Sequence, residues 1–449
     1  MKDPKIVLFE DASIPRAVAV LSIPTIISNL VSLMYNLADT FFVGLLNDPV
    51  QTAAVTLAAP VILAFNAVNN LFGVGSSSMM SRALGRKDFQ TLRESSAFGF
   101  YGALLAGLLF SVLCFLFQNP LLRVLGADHQ TFLATSRYML WTVMIGATPS
   151  ILNVVMAYLV RSEGATLHAS IGTMSGCLLN IILDPLFILP SGLNLGAEGA
   201  ALATLISNCA ALSYFFFYLL FKRKSTYVCI SPKAFRLRHE VLHGVCSVGI
   251  PASIQNMLNV VSHMLLNNLA SAFGAQALAG MGIASKISLI PWYISNGLSQ
   301  GVMPLVGYNY ASRNYLRMKK ALRFVFTLAL CVLSSMALCS CLFSQQITSL
   351  FIDDAQSVAY GSSFLYGKAL AVPCLAIDLM IVGVFQAFGK GSKSLILALI
   401  RKVVIEIPVI FLLNAIWPLY GLSCAQLVSE FCMVMIGALM LRQVLRALP

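Results

Sequence analysis

The sequence predicts an all-α polytopic membrane protein: twelve transmembrane helices in two six-helix lobes related by pseudo-twofold symmetry. Three observations carry that reading. The composition is 58% hydrophobic and only 10% charged, against roughly 25% charged in a soluble domain. Apolar runs of about 20 to 30 residues follow one another, and about 20 helical residues cross a hydrocarbon core. Finally, a set of landmarks recurs in order half a chain later.

Taken in order, the predicted spans lie near 17–46, 51–81, 95–117, 132–160, 167–190, 198–221, 242–273, 277–308, 322–344, 359–387, 395–416 and 421–441. Their uniform apolarity favours helices, because lipid-facing barrel strands alternate over about ten residues. The polar, Pro-containing start of the chain is not a cleavable signal, so the first run is expected to direct insertion itself.

The formal net charge is +12, and its placement follows loop parity. Of the 29 Lys and Arg, Arg123 and Arg137 fall on the opposite side and Lys286 and Lys368 lie within spans. The rest, including Arg82, Arg86, Lys87, Arg93 and the stretches 222–238 and 313–323, gather on one face. The positive-inside rule then places both termini in the cytoplasm of a multi-pass inner-membrane protein and removes the need for a nucleic-acid partner. Eight of the Cys sit inside spans, where they act as small apolar residues, and no Cys/His spacing suggests a metal.

The duplication is visible in three places. Ile23-Pro24-x-x-Ile27-x-Asn29 matches Ile250-Pro251-x-x-Ile254-x-Asn256, an offset of 227 (23 to 250). Lys87-Asp88-Phe89 and Arg93 match Arg313-Asn314-Tyr315 and Lys319, an offset of 226 (87 to 313). Gly199, Ala203, Leu205 and Ser207 match Gly421, Ala425, Leu427 and Ser429, an offset of 222 (199 to 421). An even number of spans per repeat makes the repeats parallel, with a cavity expected between them. The lobes are expected at 1–221 and 241–449, tethered by a basic linker at 222–240.

Asp39 and Asp184 interrupt apolar runs, and an intramembrane carboxylate is costly enough to be a functional hypothesis by default. The second half keeps the landmarks but replaces these acids: Asp39 corresponds to Leu266, Asn180 to about Val403, Asp184 to about Ile407, and Thr204 to Gln426. Residues four apart share a helix face, which sets Tyr35 beside Asp39, Asn180 beside Asp184, and Thr204 beside Asn208. These hard oxygen ligands suit a shared proton or a small hard cation; sodium would bind at Asp39, Asn180, Asp184 and Thr204. Pro24 frees a backbone carbonyl and marks a hinge in span one.

The candidate cavity lining comprises Asn153, Asn208, Gln255, Asn256, Asn259, Trp292 and Asp378. Lys368 and Asp378, ten residues apart on span ten, are expected about 15 Å apart along the axis, too far for a direct pair. Glu406 either snorkels or lines the cavity. His263 reads as a structural histidine, and Glu430 and Lys286 as helix-pairing residues.

Together these residues resemble the multidrug and toxic compound extrusion transporters, in particular the bacterial branch with acids in the N-terminal lobe. The resemblance covers nearly the whole chain through Pro24, Tyr35, Ala38, Asp39, Thr40, Ala83, Leu84, Gly85, Asn180, Asp184 and the run Gly199 to Thr204. It implies alternating access and export of cationic or amphipathic molecules in exchange for protons or sodium, with no cofactor and a monomeric chain. It also implies that Tyr35, Asp39, Asn180, Asp184 and Thr204 form the coupling-ion network, with Asn153 nearby. Another branch carries an acid in span seven where this chain has Gln255, so proton coupling is favoured. The alternatives are a flippase for lipid-linked precursors, which needs cavity cations beyond Lys286 and Lys368, and a membrane enzyme, for which the acidic doublet Asp353-Asp354 lies in an external loop without a His.

Overall fold

The computed structural model describes residues 4–448 and is almost entirely helical. Among the described residues, nine helices are long and apolar enough to cross a membrane, beginning with Ile14–Gly44 and ending with Tyr420–Arg446. Span four adds a tenth as two pieces, Phe132–Ile145 and Ala147–Ser162, bent by 45°. Its bend falls at Gly146, directly after a π-helical turn at Leu140–Ile145. The remaining two of the twelve are the polar ones. Span seven, His239–Ser271, carries several Asn and His residues, and span eleven is broken into Gly391–Leu399, a π-helical segment Ile400–Glu406, and Ile407–Ile416.

The repeated landmarks turn out to be turns and close contacts. Lys87 and Arg313 both take positive φ, 58° and 60°. Next to them, Asp88 caps the Thr91 N–H at 3.0 Å and Asn314 caps the Arg317 N–H at 3.2 Å. A Cβ on Gly199 would sit 2.5 Å from the Phe187 carbonyl oxygen, and one on Gly421 would sit 2.2 Å from that of Leu413. Both glycines therefore let the sixth helix of a lobe close onto the fifth. Packing is what the halves share.

Pro24 lies inside a continuous helix. Lacking an N–H, it leaves the Val20 carbonyl without an intrahelical donor, and the Thr166 hydroxyl of span five supplies one at 2.9 Å. The hinge carbonyl is thus tied to the same lobe.

The lobes meet along the halves of their spans nearest the basic loops. Ser78 Oγ donates to the Gln386 carbonyl at 2.5 Å, Ser253 Oγ to that of Ala67 at 2.6 Å, and Arg161 donates to Gln300 at 2.8 Å. Gly85 fits against Tyr308, whose carbonyl oxygen would lie 2.3 Å from an added Cβ, which explains the Ala83-Leu84-Gly85 run. Towards the other face, Met34 and Phe41 of span one and Met257, Val261 and Met264 of span seven are exposed.

A short N-terminal helix, Pro4–Glu10, bridges both lobes on the basic face. Lys5 pairs with Glu163 at 2.7 Å in the first lobe, while Tyr308 of the second donates to Glu10 at 2.7 Å. Phe9 is fully buried, stacks on Tyr308 with centroids 5.0 Å apart, and its carbonyl accepts from Arg317 Nε at 2.7 Å. Phe9→Ala is therefore expected to cost about 3–5 kcal/mol, the usual loss for a buried aromatic. Thermal unfolding of the detergent-solubilised protein reads that loss; an unchanged midpoint would show that the buried Phe9 ring adds nothing to stability.

Candidate functional site

The first-lobe acids lie on spans one and five, whose helices pack side by side. Asp184 and Asn180 are fully buried, and Asp39 and Tyr35 are half-buried beside them. With its nitrogen facing the carboxylate, the Asn180 amide donates to Asp184 Oδ2 at 2.9 Å while its oxygen accepts from the Thr204 N–H at 3.1 Å. In the opposite orientation the nitrogen donates to Thr204 Oγ1 at 3.3 Å. Either way Asn180 joins span five to span six. The Tyr35 hydroxyl hydrogen-bonds the Thr204 side chain and feels the charges of Asp39 and Asp184, and Asp39 acts electrostatically on Asp184. Thus the five residues expected to converge are found together.

Asp39 Oδ1 has no hydrogen-bond partner. Among the described interactions, neither Asp39 nor Asp184 has a cationic partner, whereas the other buried carboxylates do. Glu94 pairs with Arg238 and Glu163 with Lys5. Two carboxylates held together without a counter-ion need a proton or cation from elsewhere.

Asn153 is buried next to this cluster's third wall, and its nitrogen donates to Asn208 Oδ1 at 3.2 Å. Its own oxygen is unpartnered. Gln255, Asn259 and Trp292 are half-buried on spans seven and eight, and no described interaction joins them to the acids. The side chain of His263 lies outside the described residues. Tyr138 of span four is a participant the sequence did not suggest: it is buried and within electrostatic reach of Tyr35, Asp39 and Asp184.

The second lobe holds a different arrangement. Arg401 donates to Asp378 Oδ2 at 2.8 Å and also contacts Glu430, while Lys402 pairs with Glu406 at 2.7 Å. Ser262 of span seven hydrogen-bonds Glu406, and buried Lys368 interacts electrostatically with Glu406 and Lys402. Three cations thus meet three anions. Lys368 and Asp378 do not pair directly, in line with their axial separation. Arg401 and Lys402, grouped by sequence with the basic face, are buried inside span eleven. Glu406 does not snorkel but binds Lys402, and Asp378 serves Arg401. Lys286 is exposed on span eight, apart from this network.

Twelve helices in two lobes, with uncompensated acids in one of them, define a secondary transporter rather than an enzyme. The chain belongs to the MatE family, whose profile matches residues 24–186 and again 251–412, starting at the two prolines that align in the duplication. It is 31% identical over 430 residues to the multidrug export protein MepA of Staphylococcus saprophyticus and 32% identical to that of Staphylococcus aureus. Each match covers 96% of this chain and 94% of the relative. Among solved structures, it is similar to an outward-facing multidrug resistance MATE transporter of the MOP superfamily, with 26% identity, a TM-score of 0.93, and coverage of 99% of this chain and 98% of that one. It is equally covered by a MOP superfamily transporter from Pyrococcus furiosus, described as having a binding pocket of reversed polarity, at 26% identity and a TM-score of 0.91.

Proposed function

We propose that this protein exports cationic or amphipathic drug-like molecules by antiport against protons, with sodium as the competing coupling ion. The supporting observation is that Asp39 and Asp184 share a site with no cationic partner, unlike the other buried carboxylates. Tyr35, Asn180 and Thr204 complete the coupling network. The lobes 1–221 and 241–449 rock about the 222–240 linker, both termini are cytoplasmic, and the protein acts as a monomer.

The Asn180 amide gives proton occupancy a structural consequence. An ionised Asp184 accepts from the amide nitrogen, which leaves the amide oxygen to Thr204 N–H. A protonated Asp184 donates to the amide oxygen instead, and the nitrogen turns to Thr204 Oγ1. One proton therefore rewrites the contact between spans five and six. Drug affinity must differ between these states, because a ligand with equal affinity for both shifts nothing. Asn153, Asn208, Gln255, Asn259 and Trp292 are the proposed drug contacts, with Pro24 as the hinge. Asp378, bound to Arg401, finds less support as a contact. The flippase reading also finds less support, since Lys368 is held near Glu406.

The test is dye efflux from proteoliposomes with pH and sodium gradients imposed separately. A pH gradient alone is expected to drive efflux. Drive by sodium alone would replace the proton, and drive by neither would end the antiport reading.

A further inference from the structure

A groove of about 460 Å³ opens on the outer flank of the second lobe, between spans nine, ten and twelve. Its floor is apolar: Phe326, Ile377, Ile381 and Leu441. Lys319, Arg442 and Arg446 stand at its rim. The cations come from the first turns of Tyr315–Leu342 and the last turns of Tyr420–Arg446, so all three lie at the basic face. No acidic side chain lines the groove, and among the described residues none of the three cations has an ion pair. The flank beside it is apolar and open, with Leu330, Met435 and Leu439 exposed.

The first half of the chain supplies a comparison. At the offsets of the duplication, Phe326 corresponds to Phe100, Ala438 to Phe216 and Arg442 to Leu220. In the first lobe Phe216 packs edge-on against Phe100, with ring centroids 6.2 Å apart. The second lobe has Ala438 in that place, so the same ridge is missing and a groove remains. Arginine replaces leucine one helical turn further on. A filled, apolar position in one repeat has become an empty one with a cation above it in the other.

We propose that this groove binds an anionic phospholipid of the leaflet on the basic face. Its phosphate is held by Lys319, Arg442 and Arg446, and an acyl chain replaces the ring that Ala438 omits. Charge complementarity selects the headgroup, since basic pockets between spans on the cytoplasmic side attract anionic lipids. Depth selects a lipid over a soluble anion, because the floor reaches buried Ile381 and Leu441. None of these residues belongs to the first-lobe acid network, so the inference stands apart from the coupling ion.

The experiment is native mass spectrometry of the full-length protein in detergent doped with phosphatidylglycerol or phosphatidylcholine. Three proteins are compared: wild type, the triple variant Lys319→Gln, Arg442→Gln and Arg446→Gln, and Ala438→Phe, which restores the first lobe's packing without touching a charge. Wild type is expected to retain one phosphatidylglycerol that both variants lose, with phosphatidylcholine retained equally by all. Equal phosphatidylglycerol on all three proteins would overturn the proposal. So would loss in the triple variant with full retention by Ala438→Phe, which would mean surface attraction without the groove. If Ala438→Phe does not fold, Ala438→Leu makes the same comparison.

Discussion

Asp184→Asn is expected to fold and reach the membrane yet lose gradient-driven efflux, by about tenfold or more, which is about 1.4 kcal/mol of lost differential affinity. The asparagine fills the volume of a protonated Asp184 and still meets the Asn180 amide at the position where Oδ2 stands 2.9 Å away. It cannot release or take up a proton, so the amide of Asn180 loses the signal that turns it between Thr204 N–H and Thr204 Oγ1. Asp39→Asn is expected to do the same by a different route, because Asp39 acts on Asp184 through its charge. Drug binding separates loss of coupling from loss of the site. In wild type the drug Kd changes with pH; in Asp184→Asn it is flat at a value near one limb of the wild-type curve, whereas in Asp39→Asn, which keeps Asp184 but removes the charge acting on it, the change is displaced along the pH axis. Efflux at the wild-type rate by both variants would remove the first-lobe acids from the mechanism.

How much of this was legible in the sequence follows from what each pattern encodes. Hydropathy reports depth, so the spans were readable, and the repeat was readable because its landmarks serve local geometry. Lys87 and Arg313 share a left-handed turn, and Gly199 and Gly421 each admit a carbonyl. The pairing of Asn180 with Asp184 needed only the four-residue spacing of a regular helix. Azimuth was harder. The π-helical segment Ile400–Glu406 shifts the helical phase, so the side on which Arg401, Lys402 and Glu406 emerge does not follow from a 3.6-residue period. By charge alone Arg401 and Lys402 group with the basic face and Glu406 reads as either snorkelling or lining the cavity, yet all three are buried. Tyr138 carries no sequence signal for another reason: it is a lone phenol among apolar neighbours, and only the packing of span four brings it to the acids.

The second lobe gives the other large expected effect, and it is one of stability. Arg401 is the counter-ion of two buried carboxylates, Asp378 and Glu430. Arg401→Met leaves both without it, and breaking a buried ion pair from one side costs about 3–5 kcal/mol. A large fall in the thermal midpoint of the detergent-solubilised protein is therefore expected. Adding Asp378→Asn and Glu430→Gln to Arg401→Met removes the stranded charges and is expected to recover most of the loss, because neutral replacements of buried ionic groups are often tolerated. The rescued triple variant also discriminates between the lobes. If the self-balanced network of Lys368, Asp378, Arg401, Lys402, Glu406 and Glu430 only holds spans seven, ten, eleven and twelve together, the triple variant still couples efflux to the gradient, since the uncompensated acids of the first lobe are untouched. A stable triple variant without gradient-driven efflux would instead make the second lobe part of the coupling machinery.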